Sequence, residues 1–418
     1  MFMQKDMQEK LPNRVISFFL VLILGIYSVA RAQAPDASFL AGCAGIRNGD
    51  LRGAVDNLNA AIARNNADER LFLYRGQALL GLRDYENAIR DFNESNEIVP
   101  GSADIWLARV NALSGDQDQA LSFLAKHLGS AFRLPEDSIR KDPAFRDLQT
   151  DPGWFSLWEK SWYSEEEKTA AEVAYYLRKG RPVEAISLLD AEIGKSPSAA
   201  GWYTLRGEAN YDQGNYAAAI ADFTSALNLS KNIDTRKESA PYLQRGKAYL
   251  KAGRYKDAVS DLNRGLREDP VSFSSYLLRA EAYAGMKSYP DAIRDVQTYL
   301  KYFENDLQAV YQCGEYHYLA EDYINALKYF NRNMKEDPNS ALNYKARGKT
   351  YLKSATYRYA VSDLSMSLDL NPDDSETWMY LGIAKIRSGD LENGCSDLQK
   401  SRQMGNTEVL KYIVDSCK

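Results

Sequence analysis

Apolar residues recur at helical spacing along most of the chain, and glycine or proline interrupts them at regular intervals. Tyr242, Gly246 and Tyr249 share one predicted helical face, and Ala258 and Leu262 share the next. This spacing of three to four residues is typical of amphipathic helices. Neither helix could bury its apolar face alone. The pattern therefore predicts an all-α protein in which short helices come in pairs and the pairs stack.

The predicted pairs repeat with a fixed period. A small residue recurs at four successive intervals of 34 residues, at Ala258, Ala292, Ala326, Ala360 and Gly394. A second small column lies twelve residues earlier, at Gly246, Ala280, Gly314, Gly348 and Gly382. Prolines lie twelve residues after the alanine of the first column, or its equivalent in earlier copies, at Pro100, Pro197, Pro270, Pro338 and Pro372. Small side chains let two helix backbones approach closely, and each proline ends a second helix because it has no N–H to donate.

These columns resemble the tetratricopeptide repeat family, which has the same period and the same alanine and proline positions. The best copies are residues 203–227 and 242–266, and ten copies cover most of residues 35–406. The resemblance implies a right-handed superhelical solenoid of about ten helix-turn-helix repeats. We predict three repeats in residues 35–134, seven in residues 166–406, and a capping helix in residues 407–418.

A segment without the period, residues 135–165, separates the two blocks of repeats and holds half of the six tryptophans. Trp154, Trp158 and Trp162 are spaced by four residues, which predicts that they share one helical face. In one interpretation this face packs the insertion against the flanking repeats. In the other it is a docking patch, because exposed tryptophans are frequent interaction hot spots.

Two cysteines lie where the last repeat and the capping helix should touch. Cys395 belongs to the final second helix, and Cys417 ends a predicted apolar face made of Val409, Leu410, Ile413 and Val414. In an oxidising compartment these cysteines would form a disulfide; the alternative is two buried free thiols. Cys43 and Cys313 fall inside first helices, which predicts small core residues.

The N-terminus has the layout of a signal peptide. Basic residues precede a 16-residue apolar run at residues 15–30, and an A-x-A site ends at Ala34. The run is shorter than a membrane-spanning helix requires. We therefore expect residues 1–34 to be removed and the exported chain to begin at Pro35, periplasmic or associated with the cell envelope and not inserted in the membrane. The alternative is an uncleaved anchor.

Leu40, Ala41, Gly42 and Cys43 match the lipobox of bacterial lipoproteins, which makes a lipid anchor at Cys43 an alternative localisation. A lipobox normally adjoins the apolar run, whereas Cys43 lies thirteen residues beyond Ala30. Cleavage before Cys43 would also remove most of the first predicted helix. The context therefore favours cleavage at Ala34.

Charge and composition point away from several functions. Removal of residues 1–34 leaves 48 Lys and Arg against 55 Asp and Glu, a net charge of −7, with both signs interspersed and no basic patch for nucleic acid. The two histidines, His127 and His317, have no metal-ligand spacing and no adjacent nucleophile. We predict no enzymatic activity, no cofactor and no metal.

The family resemblance implies that first helices line a concave groove that accepts peptides or partner helices. The groove-facing candidates in the last repeats include Glu315 and Met379 together with Tyr311, Tyr318, Lys345, Lys349, Lys353 and Arg387. Such a basic aromatic groove could bind the carboxylates of an acidic segment or a chain terminus. In the alternative interpretation these residues are ordinary solvated or core-edge positions. The asparagines of the carboxylate clamp in chaperone-binding relatives are not evident, so we do not predict a chaperone adaptor.

Taken together, the sequence predicts an exported, non-enzymatic scaffold or adaptor that binds proteins or peptides in its groove. The alternative function is a membrane-tethered structural component of an envelope secretion or surface-attachment machine. Cleavage at Ala34 favours the first function, and a lipid on Cys43 or a retained apolar run favours the second.

Overall fold

A computed structural model describes residues 36–230 and 239–417, and within these ranges the chain is all-helical with no strand. The predicted signal peptide lies outside the described residues. Three helix pairs come first: α1 Ala37–Asn48, α2 Leu51–Ile62, α3 Glu69–Gly81, α4 Tyr85–Ile98, α5 Asp104–Ser114 and α6 Gln117–Leu128. The insertion contributes α7 Glu136–Arg140 and α8 Pro152–Trp158, with two short 3-10 turns between them.

Seven pairs and one terminal helix follow. They are α9 Glu165–Arg178, α10 Pro182–Lys195, α11 Ala200–Asp212, α12 Tyr216–Ser230, α13 Ser239–Lys251, α14 Tyr255–Glu268, α15 Phe273–Gly285, α16 Tyr289–Leu300, α17 Leu307–Leu319, α18 Tyr323–Glu336, α19 Ala341–Lys353, α20 Tyr357–Leu370, α21 Ser375–Ser388, α22 Leu391–Gln403 and α23 Leu410–Ser416. Within each unit, most consecutive helices pack on each other. The chain divides into two compact units, residues 1–275 and 276–418, at a boundary inside α15 and not at the insertion.

The small columns lie where the two helices of a pair touch. A Cβ built on Gly207 would come within 2.7 Å of the Phe223 ring, and one on Gly314 within 2.7 Å of the Phe330 ring. Both phenylalanines are almost fully buried. A larger residue at either glycine would therefore force the two helices apart. The predicted all-α architecture of paired helices is confirmed.

The turn between the two helices of a pair needs a left-handed residue, and the copies supply it in two ways. Gly49 and Gly389 have φ values of 79° and 98°. In copies that lack glycine at this position, Arg83, Lys287 and Ala355 take positive φ values of 64°, 59° and 58°. Glycine is favoured there because it has no Cβ to clash. The turn nevertheless forms without it, because the packed pair on either side fixes its geometry.

An arginine and an aspartate sixteen residues apart join the two helices of several pairs, a feature that our sequence analysis missed. In α3 and α4, Arg75 Nη2 lies 2.6 Å from Asp91 Oδ1. The corresponding pairs are Arg206 with Asp222, Arg245 with Asp261, Arg279 with Asp295 and Arg347 with Asp363. These five aspartates are only 3–7% exposed. The signal was present in the sequence, since each arginine directly precedes the second small column.

The same arginines also reach the preceding pair. Arg206 Nη1 lies 2.6 Å from Asp190 on α10, and Arg347 Nη1 donates to Asn331 on α18 at 2.6 Å. Arg206 and Arg347 therefore each connect three successive helices. In the pair α17 and α18 the two positions hold Cys313 and Tyr329 instead. Polar contacts of this kind add to the apolar stacking that the period predicted.

The insertion folds onto α6 through an apolar core. Ile139, Phe145 and Leu148 are at most 1% exposed and pack with Leu124 and Leu128. Trp154 is 4% exposed and belongs to this core, while Trp158 and Trp162 are partly buried against it. The predicted single helical face is wrong for Trp162, because α8 ends at Trp158 and the Trp162 indole bonds back to the Leu157 carbonyl at 2.7 Å.

A buried histidine anchors the segment that leads into the insertion. His127 on α6 is 1% exposed, and its Nε2 accepts a hydrogen bond from the Leu134 backbone N–H at 2.9 Å. This acceptor role requires the neutral imidazole with its proton on Nδ1. Burial lowers the pKa of His127 to about 3, and the charges of Arg109 and Arg133 add to that effect. Protonation would break the bond to Leu134 and leave a charge in the core.

We expect the protein to lose stability as the pH falls below about 6.5, the pKa of an unfolded histidine. Between that value and about 3 the unfolded chain binds a proton at His127 and the folded chain does not. The free energy of unfolding should therefore drop by about 2 kcal/mol from pH 7 to pH 5 through this one group. Urea unfolding at both pH values, compared with His127→Gln, measures it. An equal pH dependence in the variant would contradict the assignment.

The C-terminal helix α23 covers the end of the last pair. Val409 is fully buried and packs with Leu398 and Met379, and Ile413 is partly buried beside them. Leu410 and Val414, which we expected on the same face, are 43% and 65% exposed. A disulfide joins Cys395 on α22 to Cys417, with the two Cα atoms 5.6 Å apart. The end of the chain is thus attached covalently to the last pair.

Candidate functional site

Three successive first helices of the second unit, α17, α19 and α21, bring together aromatic and charged side chains. The Lys349 ammonium lies between two rings, 5.5 Å from the centroid of Tyr318 and 5.3 Å from that of Tyr380. Lys349 and both tyrosines are half-buried. We call Tyr311, Tyr318, Lys349 and Tyr380 the tyrosine surface. Amphipathic rings with a partly exposed hydroxyl are suited to protein contacts, because they bury large area at small conformational cost.

Lys345, predicted to face the groove, is an internal ion-pair residue. Its Nζ lies 2.9 Å from Asp374 Oδ2 and 2.6 Å from Glu376 Oε2, and its side chain is 15% exposed. Burial alone would lower the pKa of Lys345, but the hydrogen bonds to Glu376 and Asp374 raise it above its ordinary value. The ammonium is already neutralised within the chain. Lys345 therefore connects α19 to α21 and offers little charge to a ligand.

The tyrosine hydroxyls stay protonated over the physiological range. Burial raises the pKa of Tyr318 to about 12, with a further contribution from the Glu315 carboxylate. Burial also raises the pKa of Tyr311 and of Tyr380, which face Glu315 and Glu376 respectively. A neutral phenol both donates and accepts hydrogen bonds. The tyrosine surface thus presents polar donors beside flat apolar faces.

The remaining predicted groove residues fall into two groups. Lys353 and Arg387, at the ends of α19 and α21, are exposed. Met379 is 3% exposed and packs in the core with Leu398, so its predicted place on the groove is wrong. Sequence reasoning missed Tyr380 and Glu376. Their signal was weak, because they stand at different registers of the repeat from the residues that we selected.

The tryptophan positions of the insertion do not form an exposed patch. Trp154 is buried, Trp158 is tilted against it at 5.6 Å between ring centroids, and Arg140 covers the Trp158 ring at 4.1 Å. The neighbouring Phe155 is 61% exposed. These contacts favour the interpretation in which the tryptophans pack the insertion, and they remove Trp154 from the residues that a partner could touch in this conformation.

Chemistry-bearing residues do meet at one place, but in a form unsuited to catalysis. His317 on α17 pairs through Nδ1 with the Asp322 carboxylate at 3.0 Å, and Cys313 lies one helical turn before His317. Cys313 is fully buried, and burial raises the pKa of its thiol to about 11. A protonated thiol without solvent access is a poor nucleophile. Within the described ranges, no group of three or more His, Cys, Asp or Glu could hold a metal ion.

Comparison with known families identifies the repeat. A family model for the tetratricopeptide repeat matches residues 39–103, 171–233 and 243–296. These segments coincide with the pairs α1 to α4, α9 to α12 and α13 to α16. The chain is a tetratricopeptide repeat protein. Tetratricopeptide repeats generally form non-catalytic scaffolds that mediate contacts between proteins.

Relatives of this tetratricopeptide repeat protein match only part of it. Tetratricopeptide repeat protein 16 of Homo sapiens is 25% identical over 241 residues, which are 57% of this chain and 22% of that protein. DnaJ homolog subfamily C member 3 of Gallus gallus is 24% identical over 225 residues, 54% of this chain and 40% of that protein. The chain thus spans well under half the length of either curated relative.

Solved structures of other tetratricopeptide repeat proteins resemble this one over about three fifths of its length. A protein from Parabacteroides merdae is 22% identical with a TM-score of 0.46, covering 60% of this chain and 97% of that one. The C-terminal part of a repeat-containing protein from Cytophaga hutchinsonii is 16% identical with a TM-score of 0.49, covering 59% of this chain and 99% of that one.

In the part of the chain that the structure describes, no helix has the length and apolar character needed to cross a bilayer.

Proposed function

We propose that this protein is a non-enzymatic scaffold of the cell envelope that holds an acidic segment or chain terminus of a partner protein on the tyrosine surface. The position of Lys349 between the Tyr318 and Tyr380 rings is the observation that carries this proposal. A lysine and three tyrosines on successive first helices supply charge, hydrogen bonds and apolar area to one ligand.

Electrostatics of the same helices support an acidic ligand. Lys345 is neutralised by Asp374 and Glu376, whereas Lys353 and Arg387 are exposed and have no ion pair among the described contacts. With Lys349 they provide three cations for partner carboxylates. The Tyr318 hydroxyl adds a donor that is not lost at neutral pH, since burial raises its pKa, whereas the Tyr311 hydroxyl already donates to Glu315. Tyrosine and charged residues of this kind dominate the affinity of many peptide interfaces.

Two features support an exported location. The first is the signal-peptide layout of residues 1–34. The second is the disulfide between Cys395 and Cys417, because such bonds persist in oxidising compartments. Against a lipid anchor, Cys43 is 2% exposed inside α1, and cleavage before it would remove the buried Phe39 and Leu40. Intact-mass analysis of the exported chain should find Pro35 at the N-terminus; a diacylglycerol adduct on Cys43 would support the membrane-tethered alternative.

A charge-reversal experiment tests the binding surface. Wild type, a Lys349→Glu, Lys353→Glu variant and a Lys328→Glu, Lys335→Glu control are used for crosslinking capture from intact envelopes. Lys328 and Lys335 are exposed on the second helix α18, so the control has the same change of net charge on another face. We expect the first variant alone to lose a partner that wild type and control both capture. Equal capture by all three would refute the tyrosine surface as the binding site.

A further inference from the structure

The first two helix pairs contact a distant turn of the same compact unit. This turn, residues 269–273, joins α14 to α15 and packs against the first helices α1 and α3. The Arg47 guanidinium carbon lies 5.1 Å from the centroid of the Phe273 ring, and Phe273 is 1% exposed. Both residues belong to the unit that ends at residue 275. A phenylalanine is therefore covered by an arginine that lies six repeats earlier in the chain.

The turn also places a carboxylate among cations. Asp269 is partly buried, and burial raises its pKa, while the charges of Arg47 and Arg70 act in the opposite direction. Cys43 and Tyr74 lie within electrostatic reach of Asp269 as well. Arg70 is itself held by two hydrogen bonds to Asp68, at 2.8 and 2.6 Å. The Asp269 carboxylate is thus partly buried near the Arg47 charge, and near Arg70, whose own charge is largely neutralised by Asp68.

Aromatic residues complete the receiving surface on α1 and α3. The rings of Phe39 and Tyr74 meet edge to face at 5.7 Å between centroids. Arg70 lies over the Phe39 ring at 5.4 Å. This first-pair surface, made of Phe39, Cys43, Arg47, Arg70 and Tyr74, has the arginines and aromatic rings that recognise a carboxylate followed by an aromatic side chain.

The repeat itself does not demand a phenylalanine at this position. Phe273 stands seven residues before the second small column, at Ala280. The same register holds Glu69, Ala200, Ser239, Leu307, Ala341 and Ser375 in other copies. Five of these six residues are small or polar. The burial of Phe273 against Arg47 is therefore a contact particular to this turn.

We propose that the first-pair surface is a second peptide-binding site, for segments with a carboxylate and an aromatic ring four residues later, and that the turn 269–273 occupies it in cis. A partner with the same chemistry must displace this turn to bind. The proposal does not depend on the tyrosine surface, which belongs to the other unit. Because the internal segment is tethered, its high effective concentration keeps weak competitors out.

Thiol labelling measures whether the turn covers the first-pair surface. The chain has two free cysteines, Cys43 and Cys313, both buried, so Cys313 in the other unit is an internal control. We expect Phe273→Ala to speed maleimide labelling of Cys43 about tenfold or more and Arg47→Ala to speed it a few-fold, as befits the loss of an exposed cation–π contact. Phe155→Ala, at an exposed phenylalanine, should change neither rate. Unchanged Cys43 labelling in both Phe273→Ala and Arg47→Ala would overturn the proposal.

Peptide binding then distinguishes a site from a purely structural contact. The probe is a fluorescent peptide of residues 267–276, and its Phe273→Ala counterpart is the matched control. We expect the probe to bind the Phe273→Ala protein at least tenfold more tightly than wild type, because the cis competitor is weakened. Adding Arg47→Ala should weaken this binding a few-fold, as expected for the loss of one cation–π contact. Failure of the probe to bind the opened protein, or equal binding to both proteins, would show that the surface is not a peptide site.

Discussion

Replacing Asp222 with leucine is expected to lower the free energy of unfolding by about 3 kcal/mol, the usual cost of removing one partner from a buried ion pair. Asp222 is 5% exposed and accepts hydrogen bonds from Arg206 and from Asn210, the latter at 2.9 Å. Its loss leaves the Arg206 charge with only the more exposed Asp190, and leaves the buried Asn210 amide without its acceptor.

Urea unfolding measures this loss, and a second variant separates charge from packing. The combination Arg206→Met, Asp222→Leu replaces both ions with apolar side chains of similar size and should recover most of the stability. Glu165→Ala is the surface control, because the pair of Glu165 with Lys168 is exposed and should contribute less than about 0.5 kcal/mol. If Asp222→Leu were as mild as Glu165→Ala, the repeated arginine and aspartate columns would have no part in stability.

Removing the disulfide is expected to destabilise the C-terminal pair by about 3 kcal/mol. The bond joins residues 22 apart in sequence, and a loop of that length loses about this much entropy in the unfolded chain when it is closed. Because α23 is short and two of its apolar residues are exposed, only the packing of Val409, Tyr412 and Ile413 holds it on the last pair besides the disulfide. In Cys417→Ser the last helix should detach before the rest of the unit unfolds.

Hydrogen exchange of α21 to α23 measures that local opening. We expect faster exchange in Cys417→Ser and in wild type with reductant, while reductant should leave Cys417→Ser itself unchanged. Helices α17 and α18 of the same unit serve as the reference, because a local opening at α23 should not change hydrogen exchange in distant helices. Identical exchange with and without reductant in wild type would mean that α23 is held by packing alone.

The tyrosine surface shows what the sequence could and could not predict. The 34-residue period placed Tyr311, Tyr318 and Lys349 on first helices, and the structure brings the rings and the ammonium together. The period could not show that Lys345 forms ion pairs with Asp374 and Glu376. Those carboxylates come from the next repeat, so the pairing depends on how two repeats stack and not on the spacing within one.

The tryptophans of the insertion show the same limit. A spacing of four residues predicts one helical face only if the helix continues, and α8 ends at Trp158. The residues that follow turn back, so Trp162 bonds to the Leu157 carbonyl. Without a repeat to supply the register, a short irregular segment is determined by the core that it covers, here the buried Phe145 and Leu148.

The sequence by itself determined the class of protein, the paired helices and the positions of their contacts, because each repeat is specified by residues close in the chain and the period multiplies the signal. The stacking of repeats decided which charges are neutralised, as at Lys345 and in the Arg206 and Asp222 pair. The contact of Phe273 with Arg47 was decided by tertiary structure alone. It depends on small rotations accumulated over many repeats, and no local pattern of residues encodes their sum.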